Sequence, residues 1–398
     1  MSKFKKASKL IKTTAAHSTS TFLKGMSYKP FPHPYSESTS EDTLIFFGSD
    51  IAQHNMKPLW GDTFTPVKSS KPYVGRDDVS KLTKDLKVNL LRLYDWDARN
   101  PHTDFLDYCA QHNTKVLVPV SNYNFLTYTK DPDIRKACVD LLKSFKKDIN
   151  DPTSDYHPAI YGIGFGNELD LPKHGVTVPV ERVAEFTNIW AAIEGEFSKK
   201  LPLGHPVSFA KNGGPLPSWS WWDSLFSSLT EEVKARLILC PQPTTDAGYL
   251  YTDAEGKGKG WVPLTWEKYK LSILFTEIGQ SRLNGDGTPN PGYADIIKGQ
   301  LTKSMKYAEE NPGQVLGTCF FQYCDKVWEE GASEGSFGAM RSIKPDNPTP
   351  DKVVVYTGED FTHWEVKPGT LVIEDLVPNK DTYDVVQGAY NPLPEDLI

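Results

Sequence analysis

Two glutamates, Glu168 and Glu277, each end a run of apolar residues, GIGFGNE and SILFTE. A lone carboxylate at the end of a buried segment is costly unless it has a partner or a task. Asn167 stands directly before the first of them. A pair of carboxyl groups can divide chemical work, because one can donate a proton while the other attacks a carbon atom. Such chemistry requires a fold that brings together two residues far apart in the chain.

Eight strand-like runs recur along the chain, and most are followed by a helical pattern. Near-continuous apolar strands that alternate with helices are typical of a parallel sheet covered by helices. We therefore predict an α/β fold, a (β/α)8 TIM barrel. A doubly wound open sheet is the alternative, but the glycines of 162–166 are spaced G-x-G-x-G, which is not the dinucleotide-binding pattern. The predicted strands are Thr21–Tyr28, Val88–Asp97, Lys115–Tyr123, Ala159–Glu168, Pro206–Gly214, Arg236–Pro243, Leu271–Gly279 and Gln314–Cys324.

Apolar residues with a 3.6-residue period predict helices over 134–149 and 183–197. The acidic pair Asp77-Asp78 indicates a helix start. A further helix is expected after Pro291-Gly292.

Three segments are expected in the chain: a flexible basic tail at 1–20, the barrel at 21–349, and a β-rich extension at 350–398 packed on the barrel. The long loop at 29–77 is rich in Pro, Ser and Gly, and it is expected to hold a hairpin or a lid on the β1 side.

Working groups of a (β/α)8 barrel lie at the carboxyl ends of the strands. In this chain those positions are polar or aromatic, whereas the strand interiors are apolar. We expect the side chains to line one mouth and to bind substrate there. Besides Asn167, Glu168 and Glu277, the set is Arg92, Tyr94 and Asp95 (second strand), Asn122 and Tyr123 (third), Asn212 (fifth), Tyr249 and Tyr251 (sixth), Tyr323 and Trp328 (eighth), and Tyr28 (first loop).

Strands four and seven are well separated around an eight-stranded ring, so Glu168 and Glu277 can face each other across the mouth. Two facing carboxyls are what glycoside hydrolysis needs, and the retaining reaction places them about 5–5.5 Å apart. Asn167 is placed to hydrogen-bond a sugar hydroxyl or to steady the nucleophile.

The chain resembles clan A glycoside hydrolases, and within them the β-1,3-glucan enzymes of glycoside hydrolase families 17 and 72. The motifs are FLKGMSYKP, NLLRLYDWD, FGNELD, FTEIGQS, and FFQYC followed by GSFGAM. In this order they are fairly specific, and the similarity extends from about Phe22 to Ile343.

The resemblance implies that Glu168 is the acid/base and Glu277 the nucleophile. It implies supporting roles for Asn167, for Tyr94 and for a tyrosine after strand six, Tyr249 in preference to Tyr251. It also implies a β-1,3-glucan substrate, with hydrolysis and transglycosylation both open.

Two alternatives remain at this stage. One is a different clan A β-glycanase, acting on β-1,4-glucan or β-mannan. The other is a catalytically inactive barrel that binds carbohydrate, although binding alone would not require the carboxylate pair.

Bulk properties exclude several classes of function. The net charge of −7 argues against nonspecific phosphate binding, so no nucleic acid partner is expected. No apolar run is long enough to predict a membrane span. The nine histidines show no metal-binding spacing, so neither a metal nor another cofactor is expected. The oligomeric state is left open.

The five cysteines form no CxxC pair, and Cys109, Cys138 and Cys319 lie in apolar segments. Buried free thiols are therefore expected, which favours a reducing compartment. The basic start lacks the apolar core of a signal peptide, and there is no glycosylation sequon, so these features favour the cytoplasm. Family 72 proteins are secreted and disulfide-bonded, so the resemblance instead implies an extracellular or cell-wall location.

Overall fold

The computed structural model describes residues 21–30, 49–52, 56–65, 70–172, 176–209, 218–243, 247–252, 256, 258–325, 332–343, 356–357, 364–365 and 375–391. Eight parallel strands form a closed barrel, which confirms the predicted (β/α)8 fold. We label them β1 (Leu23–Ser27), β2 (Leu90–Arg92), β3 (Lys115–Val120), β4 (Ile160–Phe165), β5 (Leu203–Ser208), β6 (Leu237–Gln242), β7 (Ile273–Ile278) and β8 (Val315–Phe320).

The strands follow chain order around the ring, and β1 closes it by pairing with both β2 and β8. Closure leaves no exposed strand edge within the barrel. Strand residues also fill the interior with a separate apolar cluster, whose buried members are Leu90, Leu117, Ile238, Cys240, Leu274, Leu316 and Cys319. Because this interior is packed, functional groups have to lie at the ends of the strands.

Helices surround the barrel, and the larger apolar cluster lies between them and the strands. Their bounds are α1 (Lys57–Trp60), α2 (Asp78–Asp85), α3 (Thr103–Gln111), α4 (Asn122–Thr127), α5 (Asp131–Ser144), α6 (Val180–Ile193), α7 (Ser218–Ser228), α8 (Glu231–Lys234), α9 (Ala247–Tyr251), α10 (Trp261–Tyr269), α11 (Tyr293–Glu310) and α12 (Lys380–Tyr390), with a 3₁₀ turn at Glu194–Glu196.

The predicted helix starts at Asp78 and after Gly292 agree with α2 and α11. The predicted fifth strand was displaced, because β5 begins at Leu203 and ends at Ser208. Gly204, His205 and Pro206 of this strand are weak strand formers, so the pairing with β6 sets its position.

Outside the barrel, the first loop contains a hairpin of Thr63–Phe64 with Tyr73–Val74. The C-terminal part contains two short antiparallel pairs, Met340–Ile343 with Asp375–Pro378 and Tyr356–Thr357 with Trp364–Glu365.

Helix α12 follows these strands and was not predicted from the sequence. Its last residue, Tyr390, is completely buried. The Tyr390 hydroxyl donates to the carbonyls of Gly25 and Thr318, at 2.9 and 3.0 Å. The chain therefore returns to strands β1 and β8 at the end of the described residues.

Cys109, Cys138, Cys240 and Cys319 are buried free thiols, which confirms the prediction for three of them. Burial raises the pKa of the Cys109 thiol well above its usual range. Among the helices in the described ranges, none combines the length and apolar character required to cross a membrane.

Candidate active site

A glycine turn brings Asn167 and Glu168 to the mouth of the barrel. Gly166 follows β4 with φ of +70°, a left-handed conformation that glycine adopts without steric cost. A Cβ atom at Gly166 would lie 2.4 Å from Leu169 Cδ1, so space as well as conformation requires glycine. Glu168 itself has φ of +51°, which is uncommon for a residue with a side chain.

Asn122, at the start of α4, fixes the backbone of Asn167. Its Oδ1 accepts from the Asn167 N–H at 2.7 Å, and its Nδ2 donates to the Asn167 carbonyl at 3.1 Å. Both ends of the Asn122 amide are therefore occupied. The structure gives Asn122 a role in holding the chain in place, rather than the substrate contact that the sequence predicted.

Strand β5 holds the Glu168 turn from the other side. The Glu168 N–H donates to the Pro206 carbonyl at 2.8 Å. Two residues further on, Asp170 accepts from the Ser208 N–H at 3.0 Å and also from its hydroxyl. Burial raises the pKa of Asp170, and the bonds from Ser208 oppose that rise. The half-buried Glu168 is thus carried on a segment tied to both β3 and β5.

Glu277, the penultimate residue of β7, has three donors directed at one oxygen. Its Oε1 accepts from Arg92 Nη1 at 3.1 Å, from the Tyr94 hydroxyl at 2.7 Å and from Gln242 Nε2 at 3.0 Å. The Glu277 side chain is 17% exposed, whereas that of Arg92 is 2% exposed. Donors of this kind stabilise the ionised form of a carboxyl group.

The same two nitrogen donors also contact Asn167. Arg92 Nη2 and Gln242 Nε2 each donate to Asn167 Oδ1 at 2.6 Å. Asn167 Oδ1 and Glu277 Oε1 are therefore bridged twice, by a guanidinium from the end of β2 and by an amide from the end of β6. This double bridge links the β4 mouth residues to those of β7.

Arg92 is the cation of this cluster. Burial lowers the pKa of its guanidinium, and the negative charges of Glu277 and, more weakly, Glu168 oppose that change. Both glutamates therefore interact electrostatically with the buried Arg92. The sequence-predicted residues Arg92, Tyr94, Asn167, Glu168 and Glu277 are thus brought together.

Tyr94 also lies against two cations, with Arg92 Cζ 3.4 Å and Lys29 Nζ 3.9 Å from its ring centroid. The next residue, Asp95, accepts from the Ser49 N–H at 3.2 Å and from its hydroxyl at 2.5 Å. Burial raises the pKa of Asp95 to about 6, against the opposing effects of Ser49 and Lys29. Asp95 therefore attaches the first loop to the mouth.

One cavity among the described residues has a volume of about 540 Å³. It is enclosed by the loop after β2, by α4 and by α5, and Tyr123 and Tyr128 contribute aromatic rings to its wall. These rings meet edge to face at 6.0 Å between centroids. The sequence-predicted Tyr123 thus lines a cavity whose walls include neither Glu168 nor Glu277.

Three predicted tyrosines are engaged elsewhere. Tyr28 is completely buried and Tyr323 is 3% exposed, and both hydroxyls donate to Asp78, so the prediction that they contact substrate is wrong. The Tyr251 hydroxyl donates to Ser304 Oγ of α11 at 2.5 Å, which directs it away from Glu277. Tyr249 lies on α9 and is 48% exposed. The predicted site residues Asn212 and Trp328 lie outside the described residues.

Gln242 is the site residue that sequence reasoning missed. The expectation for strand six was a tyrosine, but the β6 residue that reaches Glu277 is Gln242. The pattern that identified Glu277 could also have identified Gln242, because it is the polar last residue of an apolar strand, LILCPQ.

Within the part of the chain that the structure describes, no group of three or more His, Cys, Asp or Glu residues is arranged to hold a metal ion.

No protein-family model matches the chain, and no curated protein matches it in sequence. Among solved structures, the fold is similar to a mutant of Saccharomyces cerevisiae Gas2p in complex with laminaritetraose and laminaripentaose, at 12% identity and a TM-score of 0.46. It is also similar to CJP38, a β-1,3-glucanase and allergen of Cryptomeria japonica pollen, at 15% identity and 0.47. A calcium-binding mutant of Bacteroides uniformis β-glucuronidase 2 gives 14% and 0.42.

These alignments cover different shares of each protein. They include 93% of this chain and 63% of Gas2p, 68% of this chain and 92% of CJP38, and 65% of this chain and 29% of the glucuronidase. The chain thus spans less than two thirds of the length of two of the three proteins. At these identities the similarity concerns the fold alone.

Proposed function

We propose that this protein is a retaining glycosidase or transglycosylase that acts on a β-linked glucan. The observation that supports this most directly is the Glu277 carboxylate, which three donors hold while the side chain remains partly open to the mouth. The neighbouring Asn167-Glu168 pair is bridged to it through Arg92 and Gln242. A purely structural ion pair would not need an open carboxylate beside a second one.

In the first step, Glu168 donates its proton to the glycosidic oxygen while Glu277 attacks the anomeric carbon. The bond between that carbon and the leaving oxygen breaks, and an ester to Glu277 forms. In the second step, ionised Glu168 takes a proton from the acceptor hydroxyl, whose oxygen attacks the same carbon and breaks the ester.

The acceptor is water in hydrolysis and a sugar hydroxyl in transglycosylation. The resemblance noted in the sequence favours β-1,3-linkages, so laminari-oligosaccharides are the first substrates to test.

The roles of the two glutamates can be tested with Glu168→Ala and Glu277→Ala on a dinitrophenyl β-glucoside in the presence of azide. Azide should react with the ester intermediate in the Glu168 variant and give the β-glycosyl azide. In the Glu277 variant it should attack the substrate directly and give the α-azide. Exposed Glu310→Ala is the matched control, and it should behave as the wild type.

Product anomers determined by NMR decide between the possible outcomes. The opposite pair of anomers would reverse the assigned roles, and wild-type activity in both variants would overturn the site. Mass analysis of laminari-oligosaccharide products would separate hydrolysis, which gives only shorter chains, from transfer, which also gives longer ones. A wild-type protein that is inactive on these substrates and on cello- and manno-oligosaccharides would overturn the proposed activity.

A further inference from the structure

Gln242 occupies an unusual position at the end of β6. It is 4% exposed, and its single side-chain nitrogen contacts both Asn167 Oδ1 at 2.6 Å and Glu277 Oε1 at 3.0 Å. A primary amide has two N–H groups, so each can serve one of these oxygens. The nitrogen of Gln242 is thereby fully used within the site.

This arrangement determines which way the Asn167 amide faces. Asn167 Oδ1 accepts from Gln242 and from Arg92, so the oxygen is turned into the cluster. The donor nitrogen Nδ2 is then the end of the amide that can meet a substrate oxygen. Gln242 thus donates both to Glu277, the proposed nucleophile, and to Asn167, which precedes the proposed acid/base Glu168.

Folding does not require Gln242 at this place. Its Oε1 is buried and has no hydrogen-bond partner among the described residues. An unsatisfied buried polar group destabilises the folded state, and an apolar side chain of similar size would avoid that loss. Both acceptors would also remain satisfied without Gln242, since Arg92 donates to each of them and Tyr94 donates to Glu277.

A destabilising group retained at a site of chemistry indicates a functional reason. We propose that Gln242 is a positioning residue, which holds the Glu277 carboxylate and the Asn167 amide in their reactive orientation. The inference rests on the proposed glycosidase function. The amide is neutral and does not titrate, so it keeps both donors near neutral pH, where an imidazole would change its protonation state.

The direct test is Gln242→Met, which keeps the side-chain length and removes both N–H groups. We expect kcat on an activated aryl β-glucoside to fall by about 10- to 100-fold, the effect of a lost hydrogen bond to a charged group. The melting temperature should stay the same or rise. A residue with only a structural role would lose stability together with activity.

Gln314→Met is the matched control. Gln314 precedes β8 at the other end of the barrel, and its Oε1 accepts one bond from the Tyr307 hydroxyl at 2.9 Å. The chemical change is the same, but it is remote from the mouth. Activity should be unchanged and the melting temperature slightly lower.

Gln242→Glu adds a readout in pH. Ionised, the new carboxylate has no proton to donate and repels Glu277 and Asn167 Oδ1. Protonated, it regains one donor. The relative activity of this variant, compared with wild type at each pH, should therefore rise as the pH falls, whereas that of Gln242→Met should stay level.

The outcomes separate this inference from the proposed function. An active wild type with full activity in Gln242→Met overturns the positioning role alone. So does a loss of activity that only follows a loss of stability, or a Gln242→Glu variant with the pH profile of Gln242→Met. A wild type that is inactive on every β-glucoside tested overturns the proposed function, and the positioning role with it.

Discussion

Two clusters of the same residue types lie at the carboxyl end of the barrel. The open cluster consists of Arg92, Tyr94 and Glu277, and the closed cluster consists of Arg76, Asp78, Tyr28 and Tyr323. In each, an arginine and tyrosine hydroxyls donate to one carboxylate. They differ in access, because the carboxylate side chain is 17% exposed in the open cluster and completely buried in the closed one.

The electrostatics of the two arginines differ in the same sense. Burial acts to lower the pKa of Arg76, but Asp78 and Tyr28 together with a smaller effect of Cys324 outweigh it, and the pKa is raised. Burial also lowers the pKa of Arg92, and here the carboxylates do not outweigh it. In the closed cluster, Arg76 pairs with a carboxylate that solvent does not reach. In the open cluster, Arg92 pairs with a carboxylate that remains partly exposed. Residue type alone therefore does not distinguish the two clusters, and the exposure of the carboxylate does.

The largest contrast should come from the carboxylates. Glu277→Gln removes the proposed nucleophile and should lower activity per folded molecule by at least about 10⁴-fold. It also removes a counter-charge of the buried Arg92, so the melting temperature should fall as well. Steady-state kinetics on an aryl β-glucoside and thermal unfolding measure the two effects. Substantial residual activity in Glu277→Gln would mean that Glu277 is not the nucleophile and that the open cluster is structural, like the closed one.

Asp78→Asn is the corresponding change in the closed cluster. It leaves the buried cation Arg76 without its counter-charge, and such a loss costs about 3–5 kcal/mol of the free energy of unfolding. Chemical denaturation measures that cost, and activity per folded molecule should stay close to wild type. A loss of turnover without a loss of stability would place Asp78 among the functional residues instead.

Asp95 joins the open cluster to the first loop and gives a pH test. Its pKa in the folded protein, about 6, lies above the unfolded value, so the folded state binds the proton more tightly. The contribution of this group to stability is present at low pH and is lost as the pH rises through 6. That loss should be at most about 3 kcal/mol between pH 4 and 7, and Asp95→Asn should abolish it. Denaturation curves over this range in both proteins decide the point, and identical pH dependence would contradict it.

Tyr94→Phe should have a smaller effect on activity. The change removes one donor to Glu277 Oε1 but leaves the aromatic ring in contact with Arg92. A hydrogen bond to a charged group is worth about 1.5–3 kcal/mol, so kcat/KM should fall by roughly 10- to 100-fold. If Tyr94→Phe lowers the melting temperature instead, Tyr94 belongs with the structural tyrosines.

The smallest effects should appear in the tyrosines of the closed cluster. The Tyr28 hydroxyl donates to Asp78 at 2.8 Å and that of Tyr323 at 3.4 Å. We expect Tyr28→Phe to cost about 1–2 kcal/mol of unfolding free energy and Tyr323→Phe about 0.5 kcal/mol. Equal costs would show that the distances do not reflect the strength of the two bonds.

The barrel was predictable because its strands are apolar runs that end at polar or aromatic residues. Strands β4 and β7 lie within their predicted ranges, and Glu168 and Glu277 lie where those runs end. Strand β5 was displaced since its register depends on long-range contact. At Gly204, a Cβ atom would lie 2.4 Å from Cys240 Sγ of β6, a constraint that no local pattern reveals.

The same limit explains the errors in the site. Tyr28 and Tyr323 follow strands β1 and β8 as predicted, but both hydroxyls donate to Asp78, the first residue of α2. The bridging role of Gln242 depends on partners 75 and 35 residues away in the chain. Sequence reasoning identified which residues end strands, and only the packing of loops determines which of them remain open.

The position of Arg92 has a consequence for electroneutrality during turnover. In the proposed reaction, Glu277 is negative and Glu168 neutral at the start, and in the ester intermediate Glu168 is negative and Glu277 neutral. The Arg92 guanidinium interacts with the charges of both glutamates. One negative glutamate therefore balances this cation both before the ester forms and in the ester intermediate. No ion has to enter or leave the mouth as the reaction proceeds.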